Sequence, residues 1–201
     1  GIATAHPLLA TPGSATRILT LDDRTFLAIE RTARIAVVDV TTGVVTPLSI
    51  ASPPPTIADA AIFRGRLYLL HPDGSITRRE RTAAGYGQGS VWLTKEHAVG
   101  SPQRLAVAGS IFASGANGAL TTYANGRALP TELLRDVDPS LTAPTPIAVP
   151  GTGDVIYLGD AVQGRLIALR ANGTLIGQIQ SPTFRSLTRI IVDATGSAVY
   201  I

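Results

Sequence analysis

Three kinds of side chain in this 201-residue sequence could do chemistry: histidines, carboxylates not spent on turns, and arginines placed at matching points along the chain. The histidines are His6, His71 and His97. A metal site needs several such ligands to converge, and these three fall in an N-terminal segment, a turn and the end of a strand-like run. No shared metal site and no cofactor is expected from them. Cysteine is absent, which removes disulfides, thiolate ligands and a Cys nucleophile. Among the acids, Asp22, Asp23, Asp73, Asp154, Asp160 and Asp193 mostly stand at turn signals, where an Asp side chain bonds its own backbone. Asp59 and Glu30 are not obviously turn residues, yet no pair of carboxylates stands out for acid–base work. There is no Gly-x-Ser-x-Gly elbow, and Gly87-Gln-Gly89 lacks the third glycine of a dinucleotide fingerprint and a helix after it. No catalytic residue is assigned.

The arginines are more suggestive. Arg17 and Arg104 open two strand-like runs at nearly the same offset from an aromatic residue, and Arg189 lies within a few residues of the equivalent place. If those runs line a common channel, the three side chains ring one mouth and attract an anionic ligand or an acidic partner surface. The plainer reading is three strand-start arginines bonded to nearby carbonyls. The run Arg78-Arg79-Glu80-Arg81 reads as the solvated face of a strand, with a partner-binding face as the sharper alternative. Asn172-Gly173-Thr174 matches a glycosylation acceptor, but Asn-Gly also supplies the two positive-φ positions of a type I′ hairpin turn.

These residues are held by a repeat. Apolar runs carry Phe26, Tyr68, Phe112, Tyr157 and Tyr200 at successive spacings of 42, 44, 45 and 43 residues. Each run is flanked by others of alternating character and by Gly, Asn or Asp turns, and no helix-period segment competes. A period of about 40 to 45 residues carrying four strands is the signature of a propeller blade. The sequence therefore predicts an all-β chain, a β-propeller of four-stranded antiparallel blades. The blades cover residues 17–52, 56–97, 104–138 and 146–181, and residues 187–201 give the inner strands of the last. Residues 1–16 are expected to supply the closing strand or strands, which makes five blades; a fragment of a six-bladed ring is the alternative. Ser52-Pro53-Pro54-Pro55 and Ala143-Pro-Thr-Pro146 read as connections between blades, because the period runs through both unchanged.

Hydrophobic residues make up 45% of the chain and charged ones 15%, which excludes a disordered protein, and no apolar run is long enough for a membrane helix. The net charge of +3 is modest and its arginines are not interleaved with aromatics, so nucleic acid is not an expected partner. The chain starts at Gly1 rather than Met, which reads as an excised or processed domain; the lack of cysteine fits an exported domain and equally a heat-adapted cytoplasmic one, and an extracytoplasmic location is the expectation taken forward.

Two stretches carry a resemblance. Ile147-Ala-Val-Pro-Gly-Thr-Gly-Asp-Val-Ile-Tyr-Leu158 followed by Gly164-Arg-Leu-Ile-Ala-Leu-Arg-Ala-Asn-Gly173, and Arg34-Ile-Ala-Val-Val-Asp39, resemble the NHL-like and YVTN-like class of repeat propellers. Ser75 and Ala119 stand near where that class has its arginine in the second and third units. The resemblance implies a sensor or binding module, a scaffold for protein partners, or a metal-dependent lactonase-like hydrolase or lyase. Fold does not decide among these. The expectation taken forward is a non-catalytic binding or sensor module of a larger protein, with a protein partner or a small anionic ligand at the channel mouth. Exposed apolar residues around Trp92 would favour the scaffold instead.

Overall fold

The alternation around each aromatic anchor folds as hairpins. A computed structural model describes residues 15–201 apart from 23, 99, 131, 143–145, 151–152 and 194–197. The first sheet is a meander of β1 (Ala15–Thr20), β2 (Thr25–Glu30), β3 (Ile35–Asp39) and β4 (Val45–Ile50). The second is built from β5 (Asp59–Phe63), β6 (Arg66–Leu70) and β7 (Ile76–Arg79). It is finished by β10 (Ser90–Leu93) after an excursion through β8 (Arg81–Thr82) and β9 (Gly85–Tyr86). The third holds β11 (Pro102–Ala108), β12 (Ser110–Gly115), β13 (Leu120–Ala124) and β14 (Arg127–Ala128). The fourth holds β15 (Ile147–Ala148), β16 (Val155–Asp160), β17 (Arg165–Arg170) and β18 (Leu175–Gln180). A two-stranded sheet of β19 (Ile191–Val192) and β20 (Val199–Tyr200) follows. The architecture is a β-propeller of four-stranded antiparallel blades. The five aromatic anchors fall on β2, β6, β12, β16 and β20, so the sequence repeat is a structural one.

Facing sheets bury each other's apolar positions. Leu27, Ile29 and Ile35 of the first pack on Ala60, Leu67 and Leu69 of the second. Leu70, Ile76 and Leu93 of the second meet Leu105, Ile111 and Tyr123 of the third. Ala106 and Phe112 of the third meet Ile156, Leu158 and Ile167 of the fourth. Ala148 of the fourth meets Leu187 and Ile190, which lead into the fifth. Each fully buried Leu or Ile contributes roughly 1.5–3 kcal/mol, so the interfaces between sheets carry the fold.

Three features depart from the sequence reading or add to it. Asn172-Gly173 is not a type I′ turn, because Gly173 has a positive φ and Asn172 does not. Three residues separate Arg170 from Thr174, whose carbonyl accepts from the Arg170 N–H at 2.8 Å, and that loop length takes a type I turn followed by a left-handed glycine. Between β7 and β10 the second unit carries a stretch for which the sequence suggested no strand. It throws the β8–β9 hairpin back onto the first sheet, where β9 pairs in parallel with β4. Gly85 makes this approach possible: its φ is +147°, and a Cβ there would stand 2.1 Å from the Ser49 carbonyl oxygen. Third, the charge run is not wholly solvated. Arg79 is buried and donates to the carbonyls of Ala51 and Gly87 through Nη1 and to Ser52 through Nη2, tying the second sheet to the end of the first.

Residues 1–14 of the expected closing segment, His6 among them, lie outside the described residues, and residues 15–16 begin β1 instead. A groove of about 520 Å³ lies between Tyr157, Leu166 and Ile179 of the fourth sheet and Phe184, Val199 and Ile201.

Candidate functional site: a channel ringed by inner strands

The first strand of each sheet is also its free edge, and all five of these strands, β1, β5, β11, β15 and β19, contribute residues to one cavity of about 340 Å³. Its apolar wall includes Ile18, Ile62, Val107, Val149 and Ile191. Ile18 and Ile191 remain 47% and 56% exposed at the centre of the molecule, so this wall is open to a ligand.

The three arginines fare differently. Arg17 and Arg189 line the channel, and Arg189 also borders a second recess beside Phe184 and Leu187. Arg104 lies on β11 but is not among the lining residues; its Nη1 donates to the Gln103 carbonyl at 3.0 Å. Arg17 reaches across two sheets. Its Nε donates to the Ala60 carbonyl at 3.3 Å and lies 3.1 Å from Asp59 Oδ1, and its Nη2 donates to the Leu105 carbonyl at 3.4 Å. Asp59 Oδ2 accepts from the Leu105 N–H at 2.8 Å. Side chains from one blade thus satisfy the open strand edges of the next two.

Asp59 is the group the sequence left without a role. Burial pushes its carboxyl pKa above the ordinary value, against the opposing pull of Arg17, the Leu105 and Ala60 N–H groups and Arg104. Arg17 and Arg104 were paired in sequence by their offset, and in space they share an attraction to this one carboxylate.

Two further carboxylate–arginine pairs share one position in the repeat, each with a buried carboxylate. Glu30 and Asp160 end the second strands of the first and fourth sheets, and each meets an arginine near the start of the third strand. Arg34 Nε and Nη2 donate to the two Glu30 oxygens at 2.7 and 2.8 Å. Arg165 Nε donates to Asp160 Oδ2 at 2.9 Å, and its two Nη atoms reach the Asp138 and Pro139 carbonyls and Gln178 Oε1. In the second and third sheets the carboxylate position holds His71 or Gly115, and Ser75 or Ala119 stands opposite it in place of the arginine. The pair is kept or lost as a unit. Asp160 is therefore more than a turn residue, although its Oδ1 does accept from the Gln163 N–H.

His71 bonds Thr77 Oγ1 at 2.9 Å, and burial holds its imidazole pKa below the ordinary value; His97 bonds Thr94 Oγ1 at 3.1 Å in a short turn after β10. Among the described residues no three His, Asp or Glu side chains are grouped to hold a metal ion. Trp92 is half-buried and meets the Tyr68 ring edge-on with centroids 6.5 Å apart, and the neighbouring Val91 is exposed.

No protein-family model and no curated protein sequence matches the chain. Among solved structures it is similar to a protein of unknown function from Bacteroides thetaiotaomicron, with 14% identity and a TM-score of 0.53. That match covers 82% of this chain and 44% of the other. BamB from Moraxella catarrhalis aligns at 19% identity and a TM-score of 0.49, over 95% of this chain and 56% of that one. The chain spans about half the length of these structures, and the likeness to the first is one of fold. No helix among the described residues is long and apolar enough to cross a membrane.

Proposed function

We propose that the chain is a binding or sensor module whose central channel receives an anionic group, from a small ligand or from an acidic segment of a protein partner, and holds it without turnover. The observation that carries this is the cavity formed by all five inner strands, with Arg17 and Arg189 on a wall that is otherwise largely apolar. Its volume of about 340 Å³ falls at the lower end of the roughly 300–1,000 Å³ that small-molecule sites occupy. Contacts to the two neighbouring sheets hold Arg17 in place in advance, which lowers the entropy cost of capture. In this reading the chain is the ligand-facing part of a larger extracytoplasmic protein, and the lack of cysteine fits that setting.

The test is calorimetric titration of the purified protein with octanesulfonate, an anion with a short apolar chain whose charge does not change with pH. Binding that is lost in Arg17→Ala and weakened in Arg189→Ala supports the reading. Binding unaffected by both substitutions, or absent in the parent protein, overturns it. Because Arg17 also ties three sheets together, the exposed Arg189 is the variant that keeps folding and binding separate.

A further inference from the structure

Arg17 on the channel wall already has a counter-ion from the protein itself, Asp59, which is buried behind that wall and is not one of its lining residues. Asp59 holds Arg17 Nε at 3.1 Å, with the carboxylate 5% and the arginine 19% exposed. Arg17 has five N–H groups. The Asp59 and Ala60 oxygens share Nε, Nη2 reaches the Leu105 carbonyl, and Nη1 makes no hydrogen bond among the described residues. An incoming headgroup therefore finds a guanidinium with donors to spare but with its charge balanced from behind. A second anion beside the Arg17–Asp59 pair would place two negative charges on one cation, in a partly buried site where screening by water is weak.

We infer that the channel binds an organic anion together with one proton, the anion replacing Asp59 as the counter-ion of Arg17 while Asp59 takes up that proton from solvent. The exchange conserves charge: an arginine–carboxylate pair, an anion and a proton become an arginine–anion pair and a neutral carboxylic acid. Protonated Asp59 loses little by it. One oxygen still accepts the Leu105 N–H, and the buried acid is relieved of the desolvation that disfavours its charge. The charged groups facing Asp59 are Arg17 from β1 and Arg104 from β11, while β5 adds the Ala60 N–H. Arg104 favours the ionised form in the empty channel, so the exchange is poised rather than complete. The ligand class follows from the walls. Ile18, Ile62, Val107, Val149 and Ile191 suit a short alkyl or branched chain behind the anionic head, and a fully polar anion such as inorganic phosphate would leave them wet.

This inference rests on the anion-binding reading above, and the experiment separates the two. Octanesulfonate is titrated into the parent protein, Asp59→Asn and Arg189→Ala from about pH 5 to about pH 8. Over the range in which Asp59 is ionised in the free protein, the parent's affinity falls about tenfold per pH unit. Asp59→Asn binds with the parent's acid-limit affinity at every pH. A parent whose binding does not vary with pH, or an Asp59→Asn protein with the same pH slope, overturns the exchange and leaves anion binding standing. Failure of the parent and Asp59→Asn to bind at any pH overturns the anion-binding reading itself. Should Asp59→Asn not fold, the parent titrated in two buffers of different ionisation enthalpy reads proton uptake directly: close to one proton per anion supports the exchange, and none overturns it.

Discussion

Arg165→Met should destabilise the protein far more than Arg34→Met, although both remove the arginine of the same repeated pair. The Arg165 and Asp160 side chains are 3% and 4% exposed, whereas Arg34 is 60% exposed over a buried Glu30. Removing one partner of a buried pair leaves an uncompensated charge and costs about 3–5 kcal/mol. For Arg165 the loss includes its bonds to the Asp138 and Pro139 carbonyls, which hold the connector between the third and fourth sheets. Arg34 lies in solvent that screens its charge, so its removal costs far less. Asp160→Asn should fall between, at about 2 kcal/mol, since Arg165 keeps three other oxygens and loses one charge-assisted bond. The decisive variant is Asp160→Asn with Arg165→Met. Neutral Asn tolerates the loss of the cation better than buried Asp, so the double variant should be no less stable than Arg165→Met alone, with a coupling of about 2 kcal/mol. Urea unfolding followed by circular dichroism measures all four. At about 2–4 °C per kcal/mol for a chain of this size, Arg165→Met should also melt roughly 6–20 °C lower. Additive single effects, or an Arg165→Met cost below that of Arg34→Met, would refute the assignment of this pair as a buried unit.

Gly159→Ala would set a Cβ 2.2 Å from Leu187 Cδ2 and 3.2 Å from Ile190 Cδ1, and should cost about 1–3 kcal/mol by forcing the fifth sheet off the fourth. Adding Leu187→Ala should recover part of that loss in thermal unfolding, and no recovery would mean the contact is not the cause. Gly85→Ala meets backbone rather than a side chain and should detach the β8–β9 hairpin, exposing the chain after Arg81 to trypsin; a cleavage pattern like the parent's would count against the parallel pairing with β4. The raised pKa of Asp59 has a consequence for stability as well. The folded state holds that proton to higher pH than the unfolded chain, so its contribution is fully present below the unfolded value of 3.8 and is lost as pH rises through the folded one. The unfolding free energy of the parent minus that of Asp59→Asn should therefore decrease from about pH 4 to about pH 8 in urea titrations, and a constant difference would show that Asp59 is not desolvated.

The repeat was legible because it is written strand by strand. Alternation within four to six residues, turn residues between runs, and an aromatic every 42 to 45 positions each depend on neighbours in sequence, and they placed the second strand of every sheet. The arginines Arg34 and Arg165 were visible in the same way, as the start of a repeated strand. Their partners were not singled out as such: Asp160 stood among the turn acids, and Glu30, not obviously a turn residue, had no second carboxylate beside it to suggest a role. What depends on how neighbouring sheets pack was invisible. Arg17 meets Leu105 across 88 positions and Asp59 meets Leu105 across 46, and Arg79 finds its carbonyls in another blade. The parallel docking of β9 on β4 likewise depends on where Ser49 lies, which a glycine at position 85 permits but does not announce. The chain by itself determined that blades form and how often. Only the tertiary structure decided which charges face one another at the centre, because those meetings are set by the angle at which whole sheets pack and not by any pattern within one.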